Sequence, residues 1–476
     1  MLSILFSNQL EVMYPEIFLG LVAFGMLLLG RSVRNPAVYT YITMAALFIG
    51  LLLLLMFDMG TETLYGGAYL VNNFGLYFAV IMIISSLYVT YSAGATLKSN
   101  PESFFSLFLL VNVAMIIAAF SMNLIFIFIA FEGVSIGTYI MSAYGKSRRN
   151  LEAAAKYFFT GIIATGFILL GSSYYYLSTG TFNLESVSIS KGPMLVALIL
   201  LFVGFGFKLA LVPLHQWAVD AYDGTSNPVS AFLSSGTKIL AFLIILRVFI
   251  VGFQNFQGDV FDLFVIVSII TMTYGNLAAL SEKNIKRMFA YSSIAQAGYL
   301  ILVVAATSST GATTFVFTVA IFTAMYYSLV YIFMKGGAFL SVSAVRKENV
   351  DIDDMSGIGV VSPAFAISLT ILMLSLAGIP PTAGFFAKYY LFLALISSNL
   401  WWLAVIGILN SAISVFYYLR VIVVMFRKDG IQRDFDTSAR VLAPLVLAAI
   451  ISLVLSLFIF AYPQVSSLVT GLGVSI

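Results

Sequence analysis

The sequence predicts an all-α polytopic membrane protein of about fourteen transmembrane helices, and three observations lead there. The 476 residues are 61% hydrophobic and only 9% charged, against about 25% charged in ordinary soluble domains. Apolar windows of about 20 residues, the length that spans a bilayer, recur from one end of the chain to the other. The lysines and arginines fall almost entirely into alternate gaps between those windows.

The windows lie near residues 12–30, 37–57, 73–93, 104–120, 124–144, 151–177, 194–221, 228–251, 263–280, 288–307, 315–340, 362–397, 402–426 and 441–461. No stretch between them is long enough for a soluble domain, so residues 1–476 read as one membrane domain. An even number of spans puts both termini on the same side. One set of alternate gaps holds fifteen basic residues: Arg31, Arg34, Lys98, Lys146, Arg148, Arg149, Lys283, Lys286, Arg287, Arg346, Lys347, Arg427, Lys428, Arg433 and Arg440. The other set holds only Lys191. Positive charge marks the inner side, so both termini are expected outside. A miscounted span in the middle would have scrambled this asymmetry.

Composition also excludes function classes. There is no cysteine, which rules out disulfides and cysteine-ligated iron–sulfur or zinc sites within the chain. One histidine cannot supply both axial ligands of a bis-histidine haem. A net charge of +3 is too small to argue for nucleic acid. Residues 1–11 lack the basic start and small-residue cleavage site of a removed signal peptide. Any redox chemistry is expected in another subunit.

Two spans carry helix breakers at depth. The seventh reads Gly204-Phe-Gly-Phe-Lys208-Leu-Ala-Leu-Val-Pro213-Leu-His215-Gln-Trp217, and the twelfth reads Ala377-Gly378-Ile-Pro380-Pro381-Thr-Ala-Gly384-Phe-Phe-Ala-Lys388. Proline removes a backbone donor and clashes with the preceding turn. At membrane depth that is tolerated where protein or water re-satisfies the freed carbonyls. Pro213 and Pro380 lie five spans apart, which predicts two five-helix units, 104–251 and 263–426. They follow three N-terminal helices (1–103) and precede a C-terminal helix (441–476). A five-helix unit repeated in tandem is inverted, as in many transporters.

Glu132, Lys208, Lys238 and Lys388 sit about mid-way along apolar spans. A lone lysine at the bilayer centre costs roughly 2.5–3.5 kcal/mol even on the lenient insertion scale. Such groups need a partner, a water-filled cavity and a purpose, and moving protons is the purpose this pattern predicts. Glu132 and Lys208 lie at matching depth and are expected to pair, as a switchable proton site or a static tie between helices. Lys238 follows Ser234-Ser-Gly-Thr, a polar run able to host water. Lys388 lies two turns beyond Pro381, where an exit to the outside would begin. Lys156 follows Glu152 at i+4 and reads equally as a snorkelling ion pair or a relay. Lys335 is as ambiguous, and His215 reads as a titrating group or a hydrogen-bonded helix cap. Arg247 and Arg420, too basic to relay protons, read as anchors. Gly204-Phe-Gly has no strand before it, so a nucleotide-binding reading fails.

The blocks Lys208-Leu-Ala-Leu-Val-Pro-Leu-His-Gln-Trp217, Asn227-Pro-Val-Ser-Ala-Phe-Leu-Ser-Ser-Gly-Thr-Lys238, Asn284-Ile-Lys-Arg-Met-Phe-Ala-Tyr-Ser-Ser-Ile-Ala-Gln-Ala-Gly298 and Leu376-Ala-Gly-Ile-Pro-Pro-Thr-Ala-Gly-Phe-Phe-Ala-Lys388 resemble the proton-translocating antiporter-like subunits of respiratory complex I. Within them the chain is most similar to subunit N, the relative of mitochondrial subunit 2. The sixth-span block Leu151-Glu-Ala-Ala-Ala-Lys-Tyr-Phe-Phe, a lysine rather than a glutamate at 388, and the lack of a long lateral helix carry that likeness.

The resemblance implies a coupling pair in Glu132 and Lys208, a central relay in Lys238, an exit lysine in Lys388 and an input-side residue in Lys156. It implies no cofactor in this chain, with flavin, iron–sulfur clusters and quinone in partner subunits. The partners implied are antiporter-like and quinone-site subunits in a prokaryotic cell membrane. Val219 where relatives usually have proline, the Asp223-Gly-Thr-Ser-Asn loop and Lys335 are departures, and they leave NADH, reduced deazaflavin and ferredoxin open as donors. A subunit of a multi-subunit cation/proton antiporter is the alternative. A non-pumping spacer is the third.

Overall fold

The computed structural model describes residues 12–30, 32–33, 35–56, 62–96, 100–186, 190–427 and 435–457. The expectations for residues 1–11, for Arg31, Arg34, Lys98, Lys428 and Arg433, and for the chain after 457 lie outside the described residues.

The spans fold as α1 (Tyr14–Leu29), α2 (Pro36–Met56), α3 (Asn73–Thr96), α4 (Pro101–Phe120), α5 (Leu124–Ser142) and α6 (Arg148–Thr179). The seventh span is two helices, α7 (Lys191–Leu209) and α8 (Gln216–Gly224), and the eighth is α9 (Asn227–Ser234) and α10 (Gly236–Leu246). Then come α11 (Gln257–Ser281), α12 (Ile285–Thr307) and α13 (Thr314–Ser341). The twelfth span is α14 (Pro363–Ala377) and α15 (Ala383–Ser397), followed by α16 (Trp401–Met425) and α17 (Ala439–Ser456). Twelve of these segments are long and apolar enough to cross a membrane by themselves. The sixteen-residue α1 and the α14–α15 pair fill the remaining two places. A hairpin of β1 (Glu62–Leu64) and β2 (Tyr69–Val71) joins α2 to α3.

Helix starts follow the local sequence. Pro101 opens α4 where its missing N–H costs nothing. Asn123, Ser147, Asn284 and Thr313 cap α5, α6, α12 and α13, each side chain accepting a bond from a first-turn amide.

Loops segregate onto two faces, as alternate crossing requires. After α2, α4 and α6 the loops bond to one another: Met122 N donates to Ala68 O and Leu124 N to Phe182 O, both at 2.9 Å. On the opposite, basic face, Asn150 Nδ2 donates to Gly224 O at 2.6 Å, Arg149 Nη1 to Glu348 O at 3.0 Å, and Ile285 N to Val350 O at 3.0 Å. The α9–α10 span and α12 are almost wholly enclosed, while α2, α6 and α16 form the outer wall.

Both expected breaks are present. The eighth span was expected to be one helix over 228–251, and here the structure differs. It is interrupted at Ser235 (φ −111°, ψ −83°) and ends in a π-helical stretch over Arg247–Val251. Ser234 Oγ and Ser235 Oγ both donate to Ala231 O, at 3.1 and 2.6 Å, and compete with the helix's own ladder.

A buried line of lysines as the candidate functional site

Four of the lysines singled out from the sequence are enclosed: Lys208 is 1% exposed, Lys238 and Lys335 are 0%, and Lys388 is 3%. Lys208 stands in the last turn of α7. Helical side chains lean toward the helix N-terminus, so its ammonium turns away from the break and meets hydroxyls. It donates to Tyr157 OH at 2.6 Å and to Ser135 Oγ and Thr138 Oγ1 at 3.2 Å each. The rings of Tyr157, Tyr139 and Phe131 lie 5.1, 5.6 and 5.8 Å from it, close enough for cation–π attraction.

Glu132 is half-buried on α5, and its Oε1 accepts from Thr165 of α6 at 2.7 Å. Among the described residues the ion pairs lie toward the basic face, and Glu132 with Lys208 is not one of them. The expected pair is therefore open in this structure. Ser135 and Thr138 follow Glu132 along α5, so the ammonium sits one to two turns, about 5–10 Å, along the helix from the carboxylate. A swing of the lysine along this polar stripe would close the pair.

The remaining three lysines converge on α12. Lys238 of α10 donates to Ser293 O at 2.6 Å, and Lys335 of α13 donates to Ser292 Oγ at 2.7 Å. Ser292 Oγ also meets Tyr418 OH of α16, and Ser293 Oγ bonds Tyr331 OH of α13 at 2.8 Å. One turn further, Gln296 Nε2 donates to Leu376 O at 3.0 Å, while its Oε1 accepts from Tyr327 OH. Leu376 O accepts from Lys388 Nζ at 3.1 Å, as does Ala377 O, and Lys388 also bonds Ser411 Oγ at 2.9 Å. Ser292, Ser293 and Gln296 thus connect the lysines of the eighth, eleventh and twelfth spans through polar groups.

Open space adjoins both proline breaks. A cavity of about 180 Å³ at the first is lined by Thr160, Phe207, Pro213, Gln216 and Trp217. One of about 560 Å³ at the second is lined by Gly378, Lys388, Tyr389, Phe392, Ile408 and Ser411.

Two residues stand apart from this line. Lys156 is exposed and ion-paired with Glu152 at 2.9 Å and Asp220 at 3.0 Å, the geometry of the snorkelling alternative. His215 occupies the N-cap position of α8 but makes no cap bond. Its buried Nδ1 has no hydrogen-bond partner, and its ring lies 4.6 Å from Tyr274. Arg247, read as an anchor, is buried and donates to Ser121 O at 2.9 Å.

Sequence reasoning missed Tyr157, Ser292, Ser293, Gln296, Tyr331 and Tyr418. The only signal was small polar residues and tyrosines recurring within apolar spans. Lys286, counted among the loop cations, is in fact 3% exposed. Among the described residues, no cluster of three or more His, Asp or Glu is placed to hold a metal ion.

Comparison with known proteins gives the same picture. Residues 121–414 match the family model described as NADH:quinone oxidoreductase/Mrp antiporter, TM. Subunit N of the NADH-quinone oxidoreductase of Trichlorobacter lovleyi is 34% identical over 93% of this chain and 92% of its own length. Subunit N of the F(420)H(2) dehydrogenase of Methanosarcina mazei is 37% identical over 87% of this chain and 89% of its own. A chain of respiratory complex I from Thermus thermophilus superposes with a TM-score of 0.80 at 28% identity, covering 93% of this chain and 97% of that one. With its broken spans and buried lysines in place along that length, the chain belongs to the NADH:quinone oxidoreductase/Mrp antiporter transmembrane family.

Proposed function

We propose that this chain is a proton-translocating membrane-arm subunit, of the subunit N kind, in a complex I-type quinone oxidoreductase. The observation that carries this reading is the polar line from Lys238 through α12 to Lys388, with Lys208 enclosed among the hydroxyls of α5 and α6. Five titratable groups at membrane depth serve proton movement, whereas a spacer gains nothing from them. Lys208 changes its hold on a proton as Glu132 approaches or withdraws, because a nearby carboxylate favours the ammonium and burial disfavours it. Lys238 and Lys335 pass the proton across α12, and Lys388 delivers it at the cavity beside Gly378. Lys156 and His215 act at the margins of this path.

The flavin, iron–sulfur clusters and quinone site belong to partner subunits on this reading, and quinone reduction there drives the translocation. The excess of basic residues on one face supports an orientation with both termini outside, and the relatives from Trichlorobacter and Methanosarcina support a prokaryotic cell membrane as its setting. Each proline break follows a left-handed residue, Ala210 or Gly378, which supports two five-helix units related by inversion.

Purification of the tagged chain from membranes in mild detergent, with iron and flavin analysis, tests the assembly. A complex lacking redox centres would put the cation/proton antiporter reading first. In the assembled complex, Glu132→Gln is expected to lower coupled proton transport by about a hundredfold or more, the scale on which a positioned proton-transfer group acts. Normal pumping by that variant would remove the Glu132–Lys208 mechanism.

A further inference from the structure

Lys286 opens α12 on the basic face, in a position where the sequence predicts a solvated cation. It is instead enclosed, and its Nζ donates to Thr225 O at 2.6 Å. Around it lies a half-buried acid–base cluster: Arg149 with Asp223 at 2.7 Å, and Arg287 with Asp220, Glu282 and Asp223 at 3.2, 3.5 and 3.9 Å. Lys286 is the point where that partly solvated cluster ends and the membrane interior begins.

Polar groups continue inward from it. Thr225 Oγ1 bonds Ser230 Oγ at 2.8 Å, and Ser230 Oγ donates to Tyr222 O at 2.7 Å. The Tyr222 hydroxyl donates to Leu233 O at 3.3 Å and lies against the Ser293 side chain. Ser293 O is the acceptor of Lys238. Ser293 also lies seven residues beyond Lys286 on α12, two turns along the same face and about 10 Å away. The buried amine and the central lysine thus lie along one face of a single helix, with hydroxyls and carbonyls of the seventh and eighth spans beside the way between them.

We propose that Lys286 is the loading site through which protons from the basic face enter the buried line and reach Lys238. This rests on the proton-translocating reading given above. The unprotonated Lys286 amine takes a proton from water at the Arg149–Asp223 cluster and becomes an ammonium. Passage of that proton inward, past the polar groups of Thr225, Ser230 and Tyr222, to the neutral amine of Lys238 returns Lys286 to its starting form. No other reactant is needed. The same geometry gives the break at Ser235 a use, since it frees the segment between Tyr222 and Lys238 from continuous helix.

The test uses the whole complex in inverted membrane vesicles, with acidification of the lumen measured against electron transfer. Lys286→Arg keeps the charge and a donor to Thr225 O but cannot release a proton. Tyr222→Phe keeps the packed ring and removes the hydroxyl. Both are expected to assemble and to slow coupled acidification, Lys286→Arg by about a hundredfold, the low end of what losing a proton-transfer group costs. Acidification at the wild-type rate in both variants would overturn the proposal. If Lys286→Arg fails to assemble, Tyr222→Phe decides alone. Lys238→Met is run beside them: unchanged acidification there would sink the parent reading. Its loss with the other two unaffected would sink only the entry route.

Discussion

At the first proline break α7 ends in Ala210, held in the left-handed region at φ 61°, and at the second α14 ends in Gly378 at φ 80°. The carbonyls released there are satisfied differently. Phe207 O accepts from the indole of Trp217 at 2.8 Å, a neutral donor from the far side of its own break. Leu376 O and Ala377 O accept from the ammonium of Lys388, again from beyond the break. A helix C-terminus carries partial negative charge and favours a cation, so Lys388 has a fixed electrostatic partner in the backbone itself. Lys208 has none of that, because its side chain points away from the carbonyl end into Tyr157, Ser135 and Thr138. On the proposed reading its charge depends on how far Glu132 stands from it. One lysine is held by architecture, and on that reading the other answers to Glu132.

Exchange of each lysine for methionine separates the two most sharply. Lys388→Met takes the cation from two enclosed carbonyls that keep Gln296 Nε2 and Ser411 Oγ as donors, while the hydroxyls around Lys208 still pair with each other, Thr138 Oγ1 with Tyr157 OH at 3.2 Å. Both variants should lose coupled transport, but Lys388→Met should unfold at the lower temperature in detergent, less stable by up to about 2 kcal/mol, the worth of a cation at an enclosed helix C-terminus. Equal melting would mean that the backbone does not hold Lys388.

A smaller effect is expected from Gly378→Ala. The residue sits at φ 80°, and a Cβ there would come within 2.9 Å of Lys388 Cδ. Strain of about 1–3 kcal/mol and a displaced Lys388 should appear together, as lower thermal stability with slower transport. The mirror experiment, Ala210→Gly, should have the smallest effect and the opposite sign. Relief of about 1–2 kcal/mol of left-handed strain, less the chain entropy of glycine, leaves a gain of about 0.5–1 kcal/mol. Thermal unfolding that fails to rise would show that the first break is not strained at Ala210.

The sequence made the spans, their alternation and the two proline breaks legible, because apolar length and the lack of a proline N–H are properties of the chain itself. Lys208, Lys238 and Lys388 stood out for the same reason: a charge has no apolar alibi. Ser235 did not, since serines bond the carbonyl four residues back inside unbroken helices as well, as Ser86 does with Met82 O and Ser172 with Ile168 O. Lys286 was hidden by its charged neighbours Lys283 and Arg287, and only the fold of residues 216–235 over the start of α12 encloses it. Ser292, Ser293 and Gln296 are ordinary small or amide residues until two lysines and a carbonyl from other spans arrive beside them.

The backbones of α11 and α12 meet with almost nothing between them. A Cβ on Gly275 would lie 2.6 Å from Ala295 N, and one on Gly298 would lie 2.8 Å from Met272 N. Two helices locked at two levels in this way neither slide nor roll without breaking that fit. The helix that bears Ser292, Ser293 and Gln296 is thus a fixed beam. On the proposed reading, protons pass along it by side chains that turn against a frame that stays still, among them the four-carbon stems of the surrounding lysines.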